Sequence, residues 1–531
     1  MKGYLILHLH AHLPFVRHPE HERFLEEDWL FEAITETYLP LVSRFEKLAD
    51  DGVPFRISMT LTPPLVQMLR DELLQRRYGA HLDRLCELAE KELDRTRHEP
   101  RLHDTARFYH HHLNHSRWLW HERYKRDLVG AFRRLQDRGV LEIVTCGATH
   151  GFLPLMQVQP ETVRAQVSVA AAHYRQHFGR DPAGIWLPEC GYYPGVERML
   201  AAEGIRYFFV DTHGIVDATP RPRYGVFAPL FTPSGVAAFG RDPESSEQVW
   251  SAEKGYPGDP VYREFYRDVG YDLDYDYVKP YVQSTGERKN TGFKYHRITG
   301  KTADKDLYDW RAAFHQADVH AGNFMFNRER QIEHLALTMG DRKPVVVAPY
   351  DAELFGHWWF EGPVFLEMFL RKAAHDQSVF RLATGADYLR ENPTQQVATP
   401  PLCSWGAGGY AGVWLDGSND WIYRHLHGAA ERMIRLASDY REPSEIERRA
   451  LNQAARELLL AQSSDWAFIM KTGTMVEYAI RRTREHLLRF LRLEREVRDR
   501  AIDEGWLAWI EGKDNLFPEL DYGIYRPGVS A

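Results

Sequence analysis

Nowhere in these 531 residues does an apolar run reach the length of a membrane span. Cysteine is scarce. The four present, Cys86, Cys146, Cys190 and Cys403, are scattered without a C-x-x-C pair, so neither a disulfide framework nor a zinc knuckle is indicated. A reducing compartment, the cytoplasm, fits that usage. No charge sign dominates: 67 Lys and Arg face 75 Asp and Glu, well mixed, which argues against nucleic acid and anionic membrane as partners. The opening stretch, MKGYLILHLHAHLPF, has a short apolar run studded with histidines and does not read as a signal peptide. Internal repeats and low-complexity segments are missing. The stretch Gly406-Ala407-Gly408-Gly409 is no phosphate cradle, because no strand leads into it and no lysine follows.

What is there is strand and helix in alternation. Residues 4–12 alternate, with Leu5, Leu7, Leu9 and Ala11 on one face and Ile6, His8, His10 and His12 on the other. Residues 55–61 form a second strand, stopped by Pro63-Pro64. From 65 to about 121 the pattern turns helical and charged, with Leu82, Leu85, Cys86 and Ala89 in one stripe. Further strands are expected at 141–146, 184–189, 205–210 and 345–351, with helix at 166–178 and 361–374. Residues 221–299, rich in Pro, Gly, Tyr and Asp, are long for a loop and predict a functional surface with short strands. Residues 392–401 read as a linker, and the rest is helical, with a capping box at Ser444-Glu445-Ile446-Glu447. Alternating strands and helices imply a parallel sheet, closed or nearly closed, followed by a helical domain.

Two strand ends carry carboxylates. Val345-Val346-Val347-Ala348 runs into Asp351 and Glu353, then His357 and Trp358-Trp359. Gly184-Ile185-Trp186-Leu187-Pro188 runs into Glu189. Alternation places Ile185, Leu187 and Glu189 on one face, and Val345, Val347, Pro349 and Asp351 on one face. Carboxyl ends of parallel strands are where such folds build active sites, and paired carboxyls among aromatics suit glycosidic-bond chemistry. Glu353 competes with Asp351, and caps or salt bridges are the bland alternative for all three. His10 and His12 read as a metal pair, as ligands of hydroxyl groups, or as satisfied strand-end histidines. A zinc site needs a third ligand, for which His150, His213 and His357 are candidates. The cluster His110-His111-His112 with His115 reads as a solvated helix face. Ser463-Ser464-Asp465-Trp466 reads as the end of a helix, and Trp405 as an indole on a loop.

Taken in order, five motifs resemble those of glycoside hydrolase family 57, in particular its α-1,4-glucan branching enzymes and closely similar proteins labelled α-amylases. They are His10-Ala11-His12-Leu13-Pro14; Leu141-Glu142-Ile143 through Ala148-Thr149-His150; Trp186-Leu187-Pro188-Glu189; Asp351-Ala352-Glu353-Leu354-Phe355-Gly356-His357; and Ser464-Asp465-Trp466. The resemblance implies an α/β fold: an incomplete (β/α)7 barrel over 1–390 with 65–125 as an inserted helical domain, and a C-terminal helical domain over 391–531. It implies Glu189 as nucleophile and Asp351 as general acid/base. His10, His12 and His150 would shape the nucleophile's subsite, and Trp405 and Asp465 would close the glucan cleft. Arg263 and Gly292 match positions near the glucan, and Trp358 and Trp359 would pack behind the acid. No metal or cofactor is implied, and the partner is an α-1,4-glucan. Transfer to a 6-hydroxyl makes a branch; transfer to water makes an amylase. One departure is a short, tyrosine-free loop at Phe231-Thr232-Pro233-Ser234-Gly235-Val236, from which hydrolytic side activity is expected. A metal-dependent hydrolase or deacetylase built on His10 and His12, and a glucan-binding protein with a decayed site, are the rival readings.

Overall fold

β1 (Gly3–Ala11) is buried along its whole length, as befits a strand covered on both faces. In the computed structural model, which describes residues 1–251, 254–282 and 286–528, it lies parallel between β2 (Ile57–Leu61) and β8 (Val345–Asp351). β3 (Leu141–Val144) extends this sheet beyond β2, and β9 (Phe380–Leu382) pairs with the start of β1. A second sheet runs β4 (Gly184–Ile185), β5 (Tyr207–Val210), β7 (Ala237–Gly240), β6 (Leu230–Phe231) and β10 (Gln396–Val397). All its pairs are parallel except β6 with β7. Backbone bonds join the two sheets at both edges. Trp186 N donates to Thr145 O at 2.9 Å, and Asp242 N donates to Val347 O at 2.9 Å. The strands therefore follow one another β1, β2, β3, β4, β5, β7, β8 and back to β1.

The alternation on β1 sorts its side chains as the sequence implied. Leu5, Leu7, Leu9 and Ala11 pack into the apolar layer shared with the helices. Tyr4 and Ile6 join an inner cluster with Val144, Trp186, Phe209, Phe239, Val345 and Val347. His8, on that inner face, is a satisfied core histidine: its ring nitrogens lie 3.0 Å from Ser58 Oγ and 2.8 Å from Thr60 Oγ1.

Between β2 and β3 come the helices Pro63–Arg70, Glu72–Thr96, Pro100–Trp118 and Leu128–Asp137. Asp71 caps the second by accepting from Leu74 N at 3.0 Å, and the stripe Leu82, Leu85, Cys86 and Ala89 is buried. Short strands do occur within 221–299, and β7 is a core strand; residues 252–253 and 283–285 lie outside the described residues. β10 falls inside the stretch read as a linker. The C-terminal part is helical: Trp421–Asp439, Glu445–Ala461, Ser464–Thr472, Val476–Arg498 and Glu504–Lys513, with the Ser444 capping box formed. Among the described residues, no helix is long and apolar enough to cross a membrane.

The short loop at 231–236 is the tight turn of the β6–β7 hairpin, closed by Thr232 N to Val236 O at 2.9 Å. It precedes β7, so it sits at the amino end of the parallel strands, whereas Glu189 and Asp351 sit past their carboxyl ends. Its length therefore has no bearing on water access to those carboxyls, and the expectation drawn from it is withdrawn.

Gly356, in the loop after β8, has φ +138°, and a Cβ there would collide with the Glu36 carbonyl. Gly356→Ala is expected to destabilise the fold by on the order of 3 kcal/mol, read as a lowered urea midpoint against the parent; an unchanged midpoint would show that the loop yields freely.

Candidate active site

Glu189 does not ride on a strand. β4 stops at Ile185, and Pro188–Cys190 form one 3-10 turn with Glu189 at φ 61°, ψ 26° and Cys190 at φ 50°. Strand alternation therefore fails to place Glu189 with Ile185 and Leu187. Those two pack in an outer apolar cluster, while Trp186 points inward and stacks on His8 and His10. A non-glycine residue held left-handed is strained and persists only where its surroundings over-determine it. Here they do. Trp405 N donates to Glu189 O at 2.9 Å. Trp405 Nε1 donates to one carboxylate oxygen at 2.8 Å and Ser464 Oγ to the other at 2.7 Å.

Asp351 arrives as the sequence implied, last in β8 and in register with His10. The strand does not continue to Glu353, which lies in the 3-10 turn Ala352–Leu354. There it accepts from Tyr38 Oη and from His12 N at 3.2 Å. The Asp351 carboxyl makes no hydrogen bond or ion pair with any described residue.

The histidines close a relay onto Glu189. His10 Nε2 lies 3.0 Å from His150 Nε2, and His150 Nδ1 lies 2.8 Å from Ser464 Oγ. Ser464 donates its only proton to Glu189, so His150 Nδ1 must donate to Ser464, leaving His150 Nε2 to accept from His10. Burial holds both imidazoles far below their ordinary pKa, hence neutral. His12 differs. Burial opposes its charge, but the Asp465 carboxylate at 3.0 Å outweighs burial and raises its pKa, while Asp465 falls to about 2. His12 Nδ1 reaches Thr62 Oγ1 at 3.0 Å.

Burial pushes Glu189 from 4.5 to about 7, against the pull of its Ser464 and Trp405 donors. Burial, then the charges of Glu353 and Glu189, raise Asp351 well above the carboxylate range. Burial raises Glu353 to about 7.

Arg263 and Gly292 come together with each other, not with these carboxyls. The Arg263 guanidinium makes bonds of 2.8 and 3.1 Å to Glu36, reaches Gly292 O at 3.4 Å, and lies over the Phe360 ring at 3.9 Å. Gly292 lines a cavity with Glu32, Glu36, His112, Lys294 and His357, lined by neither Glu189 nor Asp351. His112 thus leaves the solvated face expected of its cluster, and burial lowers its pKa to about 4. The π-helical turn Ile34–Tyr38 links the two places, sending Glu36 to Arg263 and Tyr38 to Glu353. Trp359 is buried, but Trp358, expected beside it, stands half exposed. Ser464 opens the helix Ser464–Thr472 instead of closing the previous one. Neither Ser464 nor Tyr38 carries a signal that would have marked it from pattern alone.

Two groups gather three metal-ligand types: His12, His150 and Asp465, and the buried Glu457, His486 and Asp514. In the first, the imidazoles stack 3.8 Å apart at 10°, so their in-plane lone pairs run side by side where tetrahedral ligation needs convergence. In the second, Arg489 already occupies Asp514 at 2.9 Å. His213 turns to Gly409 O and His357 to Glu32, which takes both away from any zinc set.

Because the folded state holds the Glu189 proton more tightly than the unfolded chain does, stability is lost as pH rises from 4.5 through 7. Carrying that charge above pH 7 costs on the order of 3 kcal/mol. Glu189→Gln should melt higher than the parent at pH 8, with the gain shrinking toward pH 4. Calorimetry at both values tests this, and a gain independent of pH would remove the charge as its cause.

Residues 6–401 match the pattern described as Glycosyl hydrolase family 57, and residues 425–525 match 1,4-alpha-glucan branching enzyme, C-terminal. A 1,4-alpha-glucan branching enzyme of Thermococcus kodakarensis is 34% identical over 99% of this chain and 79% of its own length. Among solved structures, the alpha-amylase AmyC of Thermotoga maritima is similar with TM-score 0.94 at 48% identity, each chain covered to 100%. The GH57-type branching enzyme of Pyrococcus horikoshii is similar with TM-score 0.89 at 34% identity, covering 100% of this chain and 98% of that one. The family pattern covers most of the chain, including both carboxyl-bearing segments, and the chain belongs to glycosyl hydrolase family 57.

Proposed function

We propose that this chain is a retaining 1,4-α-glucan branching enzyme, with Glu189 as nucleophile and Asp351 as general acid/base. The observation that carries the reading is the contrast between two carboxyls in one site. Glu189 is anchored by two donors that favour its ionised form. Asp351 has no donor, and its surroundings hold its proton. Burial raises both carboxyls, but only Glu189 has donors that oppose the rise, and a difference of that kind is how such sites assign base and acid.

Asp351 protonates the glycosidic oxygen while Glu189 attacks C1, so the glycosidic bond breaks and a glycosyl ester forms. Asp351 then takes the proton of an incoming 6-hydroxyl, the ester breaks, and an α-1,6 linkage forms. Neutral His10 and His150, and His12 beside the Asp465 carboxylate, shape the pocket around the attacked sugar. Trp405 and Asp465 close it from the C-terminal side, and Arg263 and Gly292 act on the glucan farther out, Gly292 lining the cavity with Glu36 and Arg263 bonded to Glu36. All of these groups belong to the chain.

In domain terms, residues 1–390 read as an incomplete (β/α)7 barrel, with 65–125 as an inserted helical domain and 391–531 as a C-terminal helical domain contributing to the glucan cleft. The seven-strand circuit, joined at two places by backbone bonds, supports the first. The reach of Trp405 and Ser464 to Glu189 supports the last.

Hydrolysis of the same linkage is the second reading, favoured by the 48% identity to a protein titled an alpha-amylase. Amylose incubated with the full chain separates the two. New α-1,6 linkages are counted by proton NMR and new reducing ends in the same sample. Linkages in excess of reducing ends are expected; reducing ends alone would make the chain an amylase. The role of Ser464 has its own test. Removing a donor to a carboxylate raises the carboxyl pKa, so Ser464→Ala should move the acidic limb of the kcat/KM profile to higher pH. It should also lower kcat/KM near pH 6 by about 10- to 100-fold. An unmoved limb would take Ser464 out of this role.

A further inference from the structure

The helix Glu27–Ala33 runs directly into the π-helical turn that sends Glu36 to Arg263 and Tyr38 to Glu353. Its first turn lines a separate cavity of about 380 Å³, set against the helix Glu72–Thr96 and lined by neither Glu189 nor Asp351. Five cations and three carboxylates face this cavity. Two of the carboxylates are already paired. Arg77 Nη1 donates to both oxygens of Glu27, at 2.6 and 2.8 Å, and Lys289 Nζ donates to Asp28 at 2.7 Å. That leaves Arg23, Arg76 and Arg84 against Glu22. None of these three arginines makes a hydrogen bond or ion pair with a described residue. Arg23 and Arg76 are exposed, whereas Arg84 is half buried. Burial, then the Arg23 guanidinium, pulls the Arg84 pKa below the ordinary arginine value. A guanidinium drawn from water without a bonded partner carries a desolvation cost that a bound anion offsets.

We infer that this cavity binds a small phosphate monoester of hexose size, its phosphate held by Arg84, Arg23 and Arg76, and that the bound ester is an effector of the glucan cavity; the effector role rests on the branching-enzyme reading. Charge selects the phosphate. Guanidinium forks match phosphate oxygens two at a time. Five cations against three carboxylates leave two positive charges over, and a phosphate monoester carries about −1.5 to −2 near pH 7. The rest of the lining selects the sugar. Glu22, bonded to no described residue, offers an acceptor to hydroxyls. The aromatic rings are taken: His18 and His21 stack on Phe24 at 3.8 and 4.9 Å, and Lys91 lies over the buried Tyr281 ring at 4.8 Å. A stacking nucleobase is thereby disfavoured. Position selects the role. Asp28 stands 3.8 Å from His81 Nδ1, and His81 lines the cavity of Gly292 and Glu36. Lys289 leads into the segment Asn290–Gly292 on the wall of that same cavity. A ligand that pulls on Asp28 and Lys289 therefore acts on both walls of the space assigned to the glucan, and on neither catalytic carboxyl. Glucan binding, not the chemical step, is what it reaches.

The site is tested by calorimetric titration of the full chain with glucose 6-phosphate, with glucose as the control. The ester should bind and the free sugar should not. Arg84→Gln should weaken binding by about 10- to 100-fold, and Arg76→Gln, on the exposed rim, by less. Arg84 has no bonded partner to lose, so Arg84→Gln should melt no lower than the parent in phosphate-free buffer; a lower melting temperature would make Arg84 a structural group and overturn its assignment. No heat with glucose 6-phosphate, or equal affinity in the parent and Arg84→Gln, would overturn the site. The effector role is read on amylose. Saturating glucose 6-phosphate should change the parental KM by about fivefold or more with kcat held, and should leave the KM of Arg84→Gln where it was. Binding without a KM change would overturn the effector role. A parent without turnover on amylose would instead overturn the functional reading, and the calorimetry would decide the site by itself.

Discussion

A buried carboxylate needs donors, and Glu189 takes both of its side-chain donors from the last third of the chain. Trp405 and Ser464 lie more than two hundred residues beyond it, yet each reaches one of its oxygens. Trp405 also binds the Glu189 backbone carbonyl. These three bonds hold the left-handed turn in which Glu189 sits and fix its carboxyl, whose charge acts on Asp351. They also fix the imidazole relay, since Ser464 has one proton and gives it to Glu189. The position of the carboxyl, the tautomers of His10 and His150 and the docking of the C-terminal helices are therefore one arrangement.

That arrangement is carried by a costly electrostatic interior. Glu189, Asp351 and Glu353 share a small buried volume, and each has its pKa raised by burial first. Near them, the Asp465 carboxylate lies 3.0 Å from His12 and raises its pKa against the effect of burial. The C-terminal helices repeat the theme away from the site, where Arg489 meets Asp514 at 2.9 Å. Pairs of this kind contribute little net stability, because desolvation offsets attraction, but losing one partner is expensive. Their consequence is geometric: helices that carry such groups dock in one register.

Much of this was legible in the sequence where the physics is periodic. β1 and β8 are long, and their alternation correctly separated Leu5, Leu7 and Leu9 from His8 and His10, and led to Asp351. The capping box at Ser444 and the buried stripe of Leu82, Leu85, Cys86 and Ala89 were equally plain. Glu189 was found as a residue but for the wrong reason, since a two-residue strand and a left-handed turn leave no periodic trace. The pairing of Arg263 with Glu36 joins residues 227 positions apart, and no local pattern encodes it. His112 departs from the solvated face because three adjacent histidines face three directions, and only the packing of helix Pro100–Trp118 decides which turns inward. The loop at 231–236 looked functional by its place in the chain, yet β6 runs antiparallel and delivers it to the far end of the strands.

The dependence of Glu189 on Trp405 and Ser464 sets an order of events during synthesis. When a ribosome has emitted the whole strand circuit, the carboxyl pair exists but Glu189 still lacks its donors. Its left-handed turn has nothing to brace it, and it remains free to relax. The bonded arrangement around Glu189 is complete only when the helix that opens at Ser464 has emerged and docked.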